Sequence, residues 1–288
     1  IYDITTDSSN NIYLSGITNY GGTAKLVVWK ISPQSVILSA NTYTSSTGTL
    51  AYPRATYVDS SGNVYYAASR TQTIDGTQGI FVAKVNSSNV SQWSTKGQIN
   101  SNYFWSVVGG RFASTSSGGN TFVCFQSNGR AGAGTADWAF SAVNSSGTEK
   151  WGSYYIDTSN GSNLMYPTGC AAVDDNTCVF IAYKNDGIRY VAYLAKVYGT
   201  STPSLQWSAL FWNPATSGNN GTYPNGITKD SSGNIFVCGY SYDDAITGTI
   251  SGFVGKYNSS GTLQWLRRIY TGVAGKYTLF TSVAMDSS

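Results

Sequence analysis

The chain is 288 residues long, 41% apolar and 14% aromatic, with only 11% charged residues and a net charge of +3. That is ample for one sizeable core or a repeat array. No basic run exceeds Arg267-Arg268 and no stretch approaches the ~18 uninterrupted apolar residues of a spanning helix, which argues against a nucleic-acid binder and against membrane insertion.

The chain opens on Ile4–Gly16, which reads as strand, tight turn, strand. Near-copies follow at Thr56–Ala68 and Ile227–Gly239, and looser ones at Ser114–Cys124 and Ala171–Ala182. Ser282–Ser288 begins another. Aligning the turns places Asp7, Asp59, Ser116 (a substitution), Asp174, Asp230 and Asp286 at one position, at intervals of 52 to 58 residues. In Asp-Ser-Ser-Gly-Asn the Asp bonds its own backbone and Gly-Asn tolerates positive φ.

Each turn leads into a second strand, as in Ile12–Leu14, Val64–Ala67 and Ile235–Cys238, and then into a variable Gly/Thr/Asp-rich loop. The third strands are Leu26–Ile31, Phe81–Val85, Ala139–Val143, Leu194–Val197 and Phe253–Tyr257. A second turn follows at Asn86-Ser-Ser, Asn144-Ser-Ser-Gly and Asn258-Ser-Ser-Gly. The fourth strand carries Gln92-Trp93, Lys150-Trp151, Gln206-Trp207 and Gln264-Trp265, whereas unit one has Val36–Leu38 and no Trp.

Four short strands per unit with turn signals between them predict antiparallel sheet, and no capped 3.6-residue period predicts a helix. The second and third strands are apolar on consecutive residues, so both faces must be covered. Radially stacked four-stranded sheets satisfy this, and the expected fold is all-β, a β-propeller of four-stranded antiparallel blades. A β-sandwich would show cleaner alternation. The single domain 1–288 divides into repeats at approximately 1–51, 52–104, 105–165, 166–222 and 223–276, with a partial sixth at 277–288. Both ends begin with the same first strand. With no initiator Met and no visible signal peptide, the chain is expected to be part of a longer or processed protein, within a six- or seven-bladed ring.

The D-S-S-G-N-[VI]-[YF] turn, the F-V-[AG]-K-[VY]-N-S-S strand and turn, and the Q-W strand resemble the SBBP family of bacterial-type β-propeller repeats. The resemblance covers essentially the whole chain and is strongest in units two and five. It implies surface or secreted proteins of microbes and particle proteins of their viruses, with no common enzyme activity.

With no histidine in the chain, Ser-His-Asp triads, His-activated cysteines and His-ligated zinc are removed together. Cys124, Cys170, Cys178 and Cys238 form no CxxC pair. Cys124 and Cys238 read as small buried thiols, whereas Cys170 and Cys178 flank one turn and are candidates for a disulfide across a hairpin. Asp174-Asp175 and Asp243-Asp244 are poor acid dyads, because adjacent strand residues point to opposite faces. Asp174 reads as a turn residue, and Asp243 and Asp244 lie in a variable loop as candidate ligand contacts. Lys30, Lys84, Lys196 and Lys256 recur on the third strand and are expected to span blade gaps or reach solvent. The Trp set is expected to pack between blades. Sequons begin at Asn86, Asn89, Asn144, Asn160, Asn220 and Asn258, three of them in the repeated turn.

The joins between units carry Tyr52-Pro53-Arg54, Tyr103-Phe104-Trp105, Tyr166-Pro167 and Tyr223-Pro224. In a propeller these joins share a face with the variable loops. Tyr52, Arg54, Trp105, Tyr166 and Tyr223 are therefore candidate ligand-binding residues, alongside Asp243 and Asp244. Aromatics among adaptable polar groups suit glycan or protein binding. The expected function is a non-enzymatic structural or adhesive propeller of a virion or microbial cell surface, extracellular or on the virion. Its partners are subunits of a surface assembly, a cell-surface glycan, or both, with no cofactor or metal. A propeller glycoside hydrolase or lyase and a purely architectural self-assembling repeat are the alternatives. The former needs two carboxylates converging roughly 5–10 Å apart.

Overall fold

The computed structural model describes residues 1, 3–18, 25–43, 49–71, 78–88, 90–97, 113–127, 137–156, 165–212, 221–243, 249–273 and 275–286. Their strands form five four-stranded antiparallel sheets, with no helix among the described residues. The first sheet is β1 (Asp3–Thr6), β2 (Ile12–Thr18), β3 (Lys25–Ile31) and β4 (Ile37–Tyr43). The second is β5 (Thr49–Val58), β6 (Val64–Thr71), β7 (Gln78–Val85) and β8 (Ser91–Gly97). The third is β9 (Ala113–Thr115), β10 (Thr121–Ser127), β11 (Asp137–Val143) and β12 (Glu149–Ile156). The fourth is β13 (Met165–Ala172), β14 (Thr177–Asn185), β15 (Tyr190–Tyr198) and β16 (Ser204–Phe211). The fifth is β17 (Thr222–Lys229), β18 (Ile235–Asp243), β19 (Thr249–Tyr257) and β20 (Leu263–Ile269). Within each sheet the strands pair in chain order.

These are blades of a propeller. The first strands β1, β5, β9, β13 and β17 pack successively on one another, and cores lie between blades. Tyr13, Leu26 and Val28 of the first blade meet Val58, Val64, Tyr66 and Val85 of the second. Phe122, Phe140 and Trp151 meet Met165, Phe180 and Tyr193 across the third seam. Ile181, Leu194 and Phe211 meet Ile227, Val237, Phe253 and Tyr257 across the fourth. This is why the middle strands are apolar on both faces. Beyond the fifth blade, Tyr277 bridges Ile250 in parallel, as Gly221 bridges Tyr190 one blade earlier. Asn225 Nδ2 donates to the carbonyl of Phe280 at 2.9 Å. The segment 277–286 thus sits beside the fifth blade as β17 sits beside the fourth. Among the described residues the sheets do not close into a ring.

The repeated turn works as its chemistry dictates. Asp7 Oδ1 accepts the amides of Ser9 and Asn11, both at 2.9 Å, while Oδ2 accepts Asn11 Nδ2 at 2.8 Å. Asp59 and Asp230 repeat the pattern. Gly62 and Gly233 hold positive φ at 76° and 77°. In the second turn, Asn86, Asn144 and Asn258 each accept two backbone amides through Oδ1.

The fourth blade departs from the alignment. The amide of Val173 donates to the carbonyl of Thr177, as Asp7 donates to Asn11. Val173, not Asp174, therefore occupies the aspartate position. Asp174 makes a local turn of its own, accepting the Asn176 amide at 2.8 Å.

Trp93, Trp151 and Trp207 pack between blades as expected, whereas Trp265 meets Phe236 of its own blade at 6.2 Å. Trp93 Nε1 donates to the Ser145 carbonyl at 3.0 Å and Trp207 Nε1 to the Ser259 carbonyl at 3.2 Å, each in the next blade's second turn. The fourth blade replaces that turn with Tyr198–Pro203, and Trp151 Nε1 is buried without a partner among the described residues. The lysines differ from expectation. Lys30, Lys84 and Lys256 lie 5.0 to 5.3 Å from the rings of Tyr13, Tyr65 and Phe236, their cross-strand partners in the same blade. Only Lys196, opposite Val179 and so lacking a ring, reaches the next blade, donating to Ser259 at 3.2 Å.

The candidate disulfide does not form: no two of the four cysteines are disulfide-bonded, and all four are buried. Cys170 pairs in register with Phe180, and Cys178 with Ala172. The two thiols are diagonal neighbours, for which Cβ separations run to about 7 Å, whereas a disulfide needs about 4 Å.

Candidate functional site

The three Tyr-Pro joins are taken up into the inner strands β5, β13 and β17. Proline has no amide to give the ladder, and the register slips between Pro53 and Ala55, Pro167 and Gly169, and Pro224 and Gly226. The bulge leaves the residue before each proline paired normally. Tyr166 faces Tyr183, and Tyr223 faces Tyr240.

Those two pairs stack. The Tyr166 and Tyr183 centroids are 4.8 Å apart with 16° between planes, and those of Tyr223 and Tyr240 are 5.0 Å apart with 19°. Tyr183 meets Tyr223 edge-on at 5.0 Å across the seam between the fourth and fifth blades. Tyr190, at the start of β15, wedges against Tyr183 at 5.7 Å and Tyr223 at 5.6 Å. Tyr242 packs on Tyr223 at 6.0 Å and Tyr240 at 6.3 Å. All six are half-buried. Edge and offset contacts of this kind are each favourable by about 0.5–1.5 kcal/mol beyond area burial.

Burial, reinforced by neighbouring tyrosines, pushes the Tyr183 phenol up to about 12 and raises that of Tyr223 further. Tyr166 and Tyr240 are also raised, chiefly by burial. At neutral pH these four are uncharged phenols, apolar on the ring and able to donate or accept at the hydroxyl.

Of the residues predicted from sequence, Tyr166 and Tyr223 come together here. Tyr52 lies in β5 opposite Ser69, which supplies no ring; its side chain and that of Arg54 lie outside the described residues. Trp105 and Asp244 also lie outside the described residues. Asp243 ends β18 opposite Thr249, with its side chain outside the description. Tyr183, Tyr190, Tyr240 and Tyr242 were not anticipated. One signal was available: the 57 residues from Tyr166 to Tyr223 also separate Tyr183 from Tyr240.

A second feature is a central cavity of about 340 Å3 where the inner strands converge. Its lining includes Asp3, Ile4, Thr5, Tyr57, Thr228 and Lys229. Among the described residues Asp3 is the one carboxylate that lines it, and Asp3 Oδ2 accepts the Thr56 amide at 2.7 Å. Among the described residues no cluster of His, Cys, Asp or Glu has a metal-holding arrangement.

The chain is similar in fold to several solved enzymes. A puromycin hydrolase aligns over 91% of this chain and 38% of its own, at 10% identity and a TM-score of 0.49. The lignostilbene dioxygenase of Pseudomonas brassicacearum aligns over 90% and 60%, at 10% identity and 0.48. The levansucrase of B. megaterium aligns over 96% and 84%, at 10% identity and 0.42. The chain spans 38% to 54% of the first structures it matches. None of their activities transfers at such distances. No curated protein matches the chain. Residues 206–244, from the Gln206-Trp207 strand through the Asp230 turn to the end of β18, match the SBBP family, described as a β-propeller repeat. That match spans one repeat's length, and with five four-stranded antiparallel sheets in succession the fold is that of a β-propeller.

Proposed function

We propose that the chain is a non-enzymatic contact module of a microbial cell surface or virion, and that the tyrosine seam between the fourth and fifth blades is its binding face. One observation carries this reading: six half-buried tyrosines converge on a single seam. The inter-blade cores at the first, third and fourth seams already supply packing without them. Tyrosine gives large, rigid contact area with a polar tip, and it is enriched where binding energy concentrates. The rings touch one another across the seam, and this continuous aromatic area suits a protein surface. The low charge and the Ser/Thr/Asn-rich surface fit an extracellular or particle location. Among the described residues the central cavity is lined by one carboxylate, where acid–base glycosidase chemistry uses two.

The test is adsorption of the labelled protein to intact microbial envelopes and to a glycan array, comparing wild type with Tyr223→Ala and Tyr223→Phe. Loss of a hot-spot ring, about 2 kcal/mol, lowers affinity roughly 30-fold in the alanine variant and far less in the phenylalanine variant. Circular dichroism confirms that both variants fold. Equal adsorption by all three proteins sinks the proposal. Binding to the array alone replaces the protein partner with a glycan.

A further inference from the structure

We infer that the central cavity is a separate binding site for a small neutral saccharide. Three kinds of group meet there, each from a different blade. Asp3 of β1 presents a carboxylate that the Thr56 amide holds in place at 2.7 Å. Lys229, at the end of β17, brings an ammonium group without a hydrogen-bond or ion-pair partner among the described residues. Tyr57 of β5 contributes a half-buried ring, steadied by Tyr65 at 6.1 Å. Thr5, Ser117 and Thr228 add hydroxyls to the same wall, and Ile4 an exposed apolar patch.

This is the inventory that a sugar requires. A pyranose presents rows of hydroxyls that both donate and accept, beside a C–H face that is apolar. A carboxylate accepts from the hydroxyls, an ammonium donates to them, and threonine and serine turn to suit either need. The aromatic ring covers the C–H face. Charge narrows the class further. One carboxylate and one ammonium leave the wall without net charge, so neither an anion nor a cation is favoured. Size narrows it again, because about 340 Å3 lies at the small end of ligand cavities, which run from roughly 300 to 1,000 Å3. A mono- or disaccharide fits, and an extended polysaccharide does not.

The site is independent of the tyrosine seam, and the experiment separates them. The whole chain is titrated calorimetrically with galactose, lactose and maltose, and crystals are soaked in whichever sugar binds. The expected result is a one-to-one complex with density between Asp3, Tyr57 and Lys229. Lys229→Met and Thr228→Val should each weaken it at least tenfold while circular dichroism is unchanged. Three results overturn the inference: no heat with any sugar at millimolar concentration, a cavity holding water only in the soaked crystals, or an affinity untouched by Lys229→Met but abolished by Tyr223→Ala. The last outcome moves the sugar to the seam.

Discussion

Asp175 of the fourth blade accepts the hydroxyl of Ser116 in the third at 2.5 Å. The third blade lacks the aspartate that orders this turn in the first, second and fifth, and its neighbour supplies a carboxylate in its place. The same Asp175 Oδ1 accepts the Gly118 amide at 3.1 Å, and the Asp175 carbonyl accepts Asn120 Nδ2 at 2.7 Å. Lys150 Nζ donates to that carbonyl as well. A local turn has become a latch between blades.

Asp175→Ala should therefore cost more than its exposed position suggests. It leaves the buried Ser116 hydroxyl, which still accepts the Asn120 amide, without an acceptor for its own proton, and removes the bond to the Gly118 amide; bonds to a charged group are each worth about 1.5–3 kcal/mol. Allowing for solvent at the carboxylate, the expected loss is about 2 kcal/mol in a urea titration. Asp174→Ala, which removes one exposed local bond, should cost under about 1 kcal/mol. The swap Ser116→Asp with Asp175→Ser restores the in-blade pattern and should recover most of the loss. If the swap is no more stable than Asp175→Ala, the latch is not the source of the effect.

How far the sequence reaches can be judged from these same residues. Asp7, Asp59 and Asp230 were legible because their partners lie within four positions of them. Asp174 was misplaced by one because Val173 fills the aspartate position and an acid happens to follow it, a substitution that only the ladder hydrogen bonds expose. The latch at Asp175 joins residues 59 positions apart, so no local pattern reports it. The seam was half legible. Tyr166 and Tyr223 stand out beside their prolines, whereas Tyr183, Tyr190, Tyr240 and Tyr242 enter through strand register. The diagonal offset of Cys170 and Cys178 was likewise a matter of register.

A second prediction concerns the tryptophan clamp. Gly261 holds φ of 82°, and a Cβ there would meet the Trp207 ring at 2.6 Å. Gly233 holds a similar φ of 77°, but its Cβ would find only Ser259 at 3.6 Å. Gly233→Ala thus reports the left-handed backbone alone, about 1 kcal/mol. Gly261→Ala adds displacement of the indole and of its bond to Ser259, a further 1 to 3 kcal/mol or about that. Denaturant midpoints give both values. In a Trp207→Leu background the gap between the two alanines should shrink, and a gap that persists means the ring is not what Gly261 accommodates.

The third prediction is an alkaline loss of stability that starts at the seam. Tyr183 carries its proton up to about pH 12 in the folded chain, against an ordinary value of 10, mainly because burial disfavours the phenolate. The unfolded chain binds fewer protons between those values, so stability falls as pH rises. The contribution is whole below about pH 10 and is lost as pH climbs through about 12. For a half-buried phenol, solvent screening limits it to about 1 kcal/mol. Tyr166, Tyr223 and Tyr240 are raised in the same direction and add to the slope. Phenolate absorbance should accordingly show tyrosines that ionise only with unfolding. Urea titrations across that window should give a falling midpoint in the wild type and a shallower fall in Tyr183→Phe, which keeps the ring and removes the ionisable hydroxyl. Identical slopes in the two proteins would mean that alkali destabilises the chain somewhere other than the seam.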